Sequence, residues 1–417
     1  MPTYYVAGHG CDTNDGLTPE TPWKTIAKAN QTISCGDTVC FRRGDTFYGA
    51  ILPPDQPDGG EFTTYSAYGD GPKPVVSQFK IANKDAWESC GDHIWRLDLL
   101  DTGKFTGNIT EMDTNIGFIK VSGKIYGCNS FTPEKLENDW DFCADEQYIY
   151  IKSEENPGER SDDIRIACNI RCVTFADYLK VENIVFNGTG GHGIAGMIIR
   201  HAHIDNCEFH EIGGSVLDGF GTNVRYGNGI ECWTDSCDVL IENCRFSQIY
   251  DVAFTMQGNE VTKGWRDITV RNCVMWNNQQ SFEVWSDGNL PDTGFVNCVF
   301  ENNTCLYAGY GWSYEVRPDK ENSSHLLMYH LVCPLNGIEV RNNTFAGARL
   351  HTIFKAGGPG YVPEDYHLTG NTILRPAGQP LINREDASDA VYEAFCDRIA
   401  GENRILDNLL PGMEADL

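Results

Sequence analysis

Carboxylates, tryptophans and an arginine recur at matched places in a set of short alternating segments. Ser281 to Asp287 reads SFEVWSD and Ser313 to Asp319 reads SYEVRPD. GIECWTD (229–235) and AFTMQGN (253–259) share the pattern, with GIAGM (193–197) and TIFKAGG (352–358) at either end. The second position is always apolar: Ile194, Ile230, Phe254, Phe282, Tyr314 and Ile353. It points inward, and strand alternation turns the third and fifth positions outward. The third column then reads Ala195, Glu231, Thr255, Glu283, Glu315, Phe354, and the fifth reads Met197, Trp233, Gln257, Trp285, Arg317, Ala356. Asp235, Asn259, Asp287 and Asp319 follow as a further outward column or a turn.

A plain solvated sheet carries Thr, Ser and Lys at such positions. Stacked glutamates repel, by roughly 1 kcal/mol or more where water is excluded, so their clustering marks a site rather than decoration. The bland alternative is an acidic face that Arg317 neutralises. Glycoside hydrolysis takes two carboxyl groups, ~5–5.5 Å apart for retention and ~6.5–9.5 Å apart for inversion. Adjacent rungs, Glu283 and Glu315, supply the first spacing, and alternate rungs, Glu231 and Glu283, approach the second. Retention is the expectation. Glu283 belongs to both pairs, and crowding raises the pKa that a general acid needs. Asp251, in IYDVAFTMQG, lies at the groove edge and is the second carboxylate if the rungs slip. Trp233 and Trp285 offer flat faces to sugar rings, and Gln257, Arg317 and Asp319 offer groups that pair with hydroxyls. The loop AGYGWSYEVRPDKENSSHLLMYH adds Tyr310, Trp312 and His325 as groove walls. HAH at 201–203 places His203 on the surface, GHG at 191–193 reads as a turn, and no GxSxG, P-loop or HExxH occurs.

What positions these strands is a repeat. The phrase apolar-x-apolar-x-Asn-x-x-apolar appears around Asn183, Asn206, Asn243, Asn272, Asn302 and Asn342, as in VLIENCRF and IEVRNNTF. A further copy, YHLTGNTI, has Gly370 in the Asn slot and Asn371 beside it. A constant phrase with variable spacers means stacked units whose insertions fall in loops. The copies are strand-like, which fits an all-β right-handed parallel β-helix with the asparagines as a buried ladder at a turn. Cys207, Cys244 and Cys273 form a small-residue column just after the Asn.

The opening, YYVAGHGCDTNDGLTPETPWKTIAKAN followed by CGDTVCFRRGDTF, resembles the start of many pectate-lyase-like parallel β-helix proteins. The resemblance implies a capping helix over Trp23 to Ala29 and the first coils from Gly36. In style the repeat region resembles the β-helix glycoside hydrolases. The chain divides into a cap and first coils (1–76), a β-rich insertion or irregular coils (77–176), regular coils bearing the active face (177–385) and a C-terminal helical cap and tail (386–417). ASDAVYEAFCDRIAG has helical spacing of Val391, Phe395 and Ile399.

Acidic residues outnumber basic ones 59 to 32 in 417 residues, a formal net charge of −27. That field repels nucleic acid and anionic lipid, so carbohydrate is the expected partner and oligomeric state stays open. The start has neither a basic n-region nor an apolar h-region, which points to a cytoplasmic protein or a secreted one whose leader has been removed. The 17 cysteines include no CxxC pair and read as buried free thiols. No cofactor is expected for a hydrolase. The first alternative is a calcium-dependent polysaccharide lyase, with Glu231, Glu283 and Glu315 on the ion and Arg317 as base. Lys355 and Arg349 are the remaining nearby cations, few for a uronate substrate. A non-catalytic carbohydrate-binding or phage-fibre-like β-helix is the other alternative.

Overall fold

The computed structural model describes residues 1–407 except 57, 58, 108, 110, 129, 220–223, 260–262, 287–293, 330–334, 336, 358–365 and 385–387. Asp287, one of the outward positions above, lies outside the described residues.

Each alternating segment is too short to bury its apolar face alone, and stacking copies of it does so. Among the described residues the coils build two ten-stranded sheets and one seven-stranded sheet. One coil runs Trp265–Arg271, Val274–Trp276 and Gln280–Ser286, one strand in each sheet, and the next begins at Phe295–Glu301. Neighbouring coils pair in parallel, as in Ile241↔Val270↔Phe300↔Val340. Inward rings stack between rungs: Phe186 on Phe209 at 5.3 Å, and Phe209 on Phe246 at 4.9 Å.

The asparagine ladder is displaced by one residue from the expected column. Asn183, Asn206, Asn243, Asn272, Asn302 and Asn342 all have left-handed backbones, with φ between 51° and 62°. They sit at the corner because Asn tolerates that conformation, and Asn243, Asn272, Asn302 and Asn342 are exposed. The buried ladder is the next position. Cys273 N–H donates to Asn303 Oδ1 at 2.9 Å, Asn303 N–H to Asn343 Oδ1 at 2.8 Å, and Asn343 N–H to Asn371 Oδ1 at 2.9 Å. The cysteine column and the ladder are therefore one column. All 16 described cysteines are free thiols, most of them buried.

The N-terminal helix is Ile26–Thr32, starting later than Trp23 because Thr25 caps it by accepting from Lys28 N–H at 3.1 Å. Trp23 itself bridges to Val6 and stacks on Tyr4 at 4.4 Å. Residues 80–168 leave the coil and form two antiparallel four-stranded sheets around Leu97, Phe142, Ile149 and Ile166. This insertion docks on the solenoid through Phe79 and Phe118, and through Asn115, whose amide pairs with the backbone of Val216 at 2.8 Å in both directions. The last helix, Asp389–Glu402, buries Phe395 and Ile399 and leaves Val391 exposed. It does not end the solenoid, since Arg404–Leu406 returns to pair with Thr372–Leu374. No helix among the described residues is long and apolar enough to cross a membrane.

Candidate active site

The register of the seven-stranded sheet is Ile194↔Ile230↔Phe254↔Phe282↔Leu326↔Ile353. Its outward row therefore reads Ala195, Glu231, Thr255, Glu283, Leu327, Phe354. One expected member is absent. SYEVRPD is not the rung after SFEVWSD: Ser313–Val316 is a short helix, and Ser324–Tyr329 takes the rung instead. The reason lies in Pro318, which has no N–H to give a central ladder and holds Arg317 before it in an extended turn. Glu315 is exposed on that helix, so the Glu283–Glu315 pair does not exist, and the expectation of retention loses the spacing it rested on.

The same loop nonetheless delivers Arg317 to the site. Its Nη1 lies 3.2 Å from Asp251 Oδ1 and donates to the Tyr250 carbonyl at 2.8 Å, while Nε and Nη2 fork onto Asp319 at 2.9 and 2.8 Å. The guanidinium also lies 4.9 Å from the centre of the Tyr250 ring. Burial opposes its charge, but Asp251 and Asp319 outweigh burial and hold it protonated. Asp251 immediately precedes strand Val252–Gly258, whose Val252 pairs with Gln280.

Glu283 is 7% exposed and Glu231 6%, far less than an outward row of an open sheet would be. Glu283 Oε2 accepts from the Thr255 hydroxyl at 3.0 Å. Burial pushes its pKa up to about 8, with Asp251 and then Glu231 adding to the rise. Burial raises Asp251 as well, against the pull of Arg317. The two carboxyl groups compete for a proton. Glu283 has a hydroxyl for support and Asp251 has a cation in contact, which favours the proton on Glu283.

Glu231 stands two rungs from Glu283, across Thr255. Its Oε2 accepts from Asn228 Nδ2 at 2.9 Å and from Gln257 Nε2, and lies 3.5 Å from His192 Nε2. Asn228 N–H donates to His192 Nδ1 at 3.1 Å, which places the proton of the neutral ring on Nε2, facing Glu231. Burial lowers the pKa of His192 and keeps it neutral near pH 7.

A second outward row holds the aromatics. Gln257↔Trp285↔Tyr329↔Ala356 are in register, with Trp233 on the preceding rung. Trp233 and Trp285 lie 5.6 Å apart between ring centres, inclined at 41°. Trp285 Nε1 is buried with no hydrogen-bond partner among the described residues.

The other loop residues do not form walls of this groove. His325 is buried inside the coil, between Ser281 Oγ at 3.1 Å and the Ala346 carbonyl at 3.2 Å, and burial pushes its pKa down to about 4. Trp312 is packed between Phe118 and Tyr250. Tyr310 lies against Tyr307 and under Arg349. Conversely, His192, Asn228, Tyr250 and Tyr329 escape the sequence reading. Extending the strand alignment two residues upstream would have found His192, Asn228 and Gln280 before Ile194, Ile230 and Phe282, a polar column interrupted by Val252 before Phe254. The calcium set of the lyase alternative is not assembled, because Glu315 is elsewhere and Glu231 is engaged by amides. Among the described residues no group of His, Cys, Asp and Glu has the arrangement of a metal site.

Residues 171–373 match the family model of a right handed beta helix region. A lacto-N-biosidase of Bifidobacterium longum subsp. longum is 24% identical over 230 residues, which is 52% of this chain and 12% of that protein. The match thus spans about an eighth of the relative. Among solved structures, a GH136 lacto-N-biosidase from Eubacterium ramulus aligns over 97% of this chain and 68% of its own, at 14% identity and a TM-score of 0.43. One described as a glycoside hydrolase aligns over 92% and 95%, at 10% identity and a TM-score of 0.44. A pectate lyase, Pel9A, aligns over 93% and 79%, at 11% and 0.40. TM-scores this low carry no weight for function. The architecture rests on the strand register and the family model: a right-handed parallel β-helix.

Proposed function

We propose that the chain is a glycoside hydrolase acting on a neutral glycan, with Glu283 as general acid and Asp251 as its partner carboxylate. The observation that carries this is a Glu283 buried in the same site as the Arg317–Asp251 ion pair, burial pushing its pKa up to about 8. Two carboxyl groups whose surroundings assign the shared proton to one of them are an acid–base pair at neutral pH. Glu283 would protonate the glycosidic oxygen as its bond to the anomeric carbon breaks. Asp251 would meet the developing positive charge, either attacking that carbon or taking a proton from water. Trp233 and Trp285 would stack on sugar rings, and Glu231, fixed by Asn228 and Gln257, would accept from a hydroxyl. A binder without catalysis has no use for buried carboxylates that oppose one another. Arg317 is a poor candidate for a lyase base, since two carboxylates keep it protonated. The name of the Bifidobacterium relative, lacto-N-biosidase, points the same way.

The test is incubation with neutral and uronic glycans, including some bearing lacto-N-biose units, with and without EDTA. Reducing ends and absorbance near 235 nm are followed together. Reducing ends without the unsaturated-sugar absorbance, insensitive to EDTA and lost in Glu283→Gln, are expected. A 235 nm signal removed by EDTA would overturn the reading. NMR of the first-formed anomer then tells retention, with Asp251 as nucleophile, from inversion, with Asp251 as base.

A further inference from the structure

Arg317 is not held by the coils alone. Val316, directly before it, seats on Gly127 at the end of the insertion strand Lys124–Gly127. A Cβ on Gly127 would fall 2.6 Å from Val316 Cγ2 and 3.0 Å from Trp312 Cζ3. The glycine is thus there for close approach. Trp312, at the head of the same helix, lies 5.0 Å from the Phe118 ring of the insertion and 5.4 Å from that of Tyr250. Its Nε1 donates to the Gln248 carbonyl at 3.0 Å. The contacts form an unbroken series: insertion strand, Trp312 and Val316, Arg317, Asp251.

We propose that the β-rich insertion is part of the catalytic apparatus, with Phe118 and Gly127 as positioning residues that hold Arg317 against Asp251. The inference rests on the reading of Asp251 and Glu283 as the catalytic pair. The charged and titratable groups facing Asp251 are Arg317, Asp319, Glu231 and Glu283, with the Tyr250 ring beside them. Of these described groups, Arg317 is the one that favours the ionised form of Asp251. Moving it outward leaves acidic neighbours, so the carboxylate protonates at higher pH.

The experiment compares wild type with Gly127→Val, Gly127→Ala and Lys124→Ala, the last being exposed on the same strand. In Gly127→Val, kcat is expected to fall about 100-fold, as for a misplacement of about 1 Å. KM should change less than about twofold, and the acidic limb of the kcat profile should move to higher pH. Gly127→Ala falls between, and Lys124→Ala overlays wild type. A substrate-free measurement accompanies these. Tm of Gly127→Val should decline more steeply than wild type between about pH 5 and about pH 9, because displaced Arg317 leaves the acidic cluster more costly to ionise. Wild-type kcat and Tm profiles in Gly127→Val would overturn the proposal, as would a loss of kcat with an unmoved limb, which marks general loosening. If Gly127→Val shows no cooperative transition, Gly127→Ala is judged by the same criteria. If wild type cleaves no glycan, the catalytic reading fails on its own, and the substrate-free profile still decides whether the insertion positions Arg317.

Discussion

Arg317 Nη1 lies 3.2 Å from Asp251 Oδ1, inside a site where Glu283 accepts from the Thr255 hydroxyl and feels Arg317 only as a charge beyond contact. One buried cation thus breaks the symmetry of two buried carboxyl groups. Arg317→Met should leave the carboxylate of Asp251 without its cation, while Asp319 keeps Asn322, and cost about 3–5 kcal/mol, the usual penalty for breaking a buried pair from one side. Denaturant unfolding at pH 7 measures it. Arg317→Lys should recover part of the stability without the fork onto Asp319. If Arg317 were a proton-abstracting base, Arg317→Met would abolish absorbance at 235 nm on a uronic substrate; the expectation is that wild type never produces it.

Glu283→Gln separates catalysis from stability. Its folded pKa, about 8, exceeds the ordinary carboxylate value. Below the ordinary value the native group is protonated at no penalty, and stability is lost as pH rises toward about 8, where the native state binds the extra proton. Gln mimics the protonated acid. Glu283→Gln should therefore match wild-type Tm near pH 5, exceed it near pH 9, and lose activity by about 1,000-fold or more. The basic limb of the wild-type kcat profile should reflect the same ionisation. Equal Tm shifts at both pH values would show that the carboxyl group is not held protonated.

The parallel β-helix was legible because its phrase repeats while its spacers vary, and the strand alignment recovered the inward column from Ile194 to Phe282. It failed where a second signal competed. Tyr314 to Asp319 imitates Phe282 to Asp287 in pattern, but Pro318 forbids the central ladder, and composition alone did not weigh that. Burial of Glu231 was illegible for a different reason: its partners His192, Asn228 and Gln257 lie far apart in the sequence and meet only once the coils are stacked. His192 escaped because glycines on either side read as a turn, whereas Gly193 lies beside Gly229 in the next coil, where a Cβ would meet the Gly229 carbonyl at 2.4 Å.

Trp285 and Trp233 should act on binding more than on the chemical step. Trp285→Ala removes a flat face beside Gln257 and should raise KM about tenfold with kcat within about threefold, the signature of uniform binding. Trp285→Phe keeps a face and should recover most of it. Initial rates over a range of substrate concentrations decide the split. A loss confined to kcat would mean that the ring orients Glu283 and does not carry sugar.

The corner and ladder asparagines differ by one position and should differ sharply in cost. Asn302 has φ 55° and is exposed, so Asn302→Gly keeps the left-handed corner and should change stability by no more than about 0.5 kcal/mol. Asn343 is buried, with Nδ2 donating to the Phe300 carbonyl at 2.9 Å and Oδ1 accepting from Asn303 N–H at 2.8 Å. Asn343→Ala leaves both backbone groups without partners and should cost about 2–4 kcal/mol. The same column holds Cys207, Cys244 and Cys273, where Cys207 N–H points to Cys244 Sγ at 3.4 Å. A thiol fits the space and accepts weakly, so Asn343→Cys should fall between Ala and wild type. Chemical denaturation of the three variants orders them. Were Asn302→Gly the costlier change, the exposed column and not the buried one would carry the ladder.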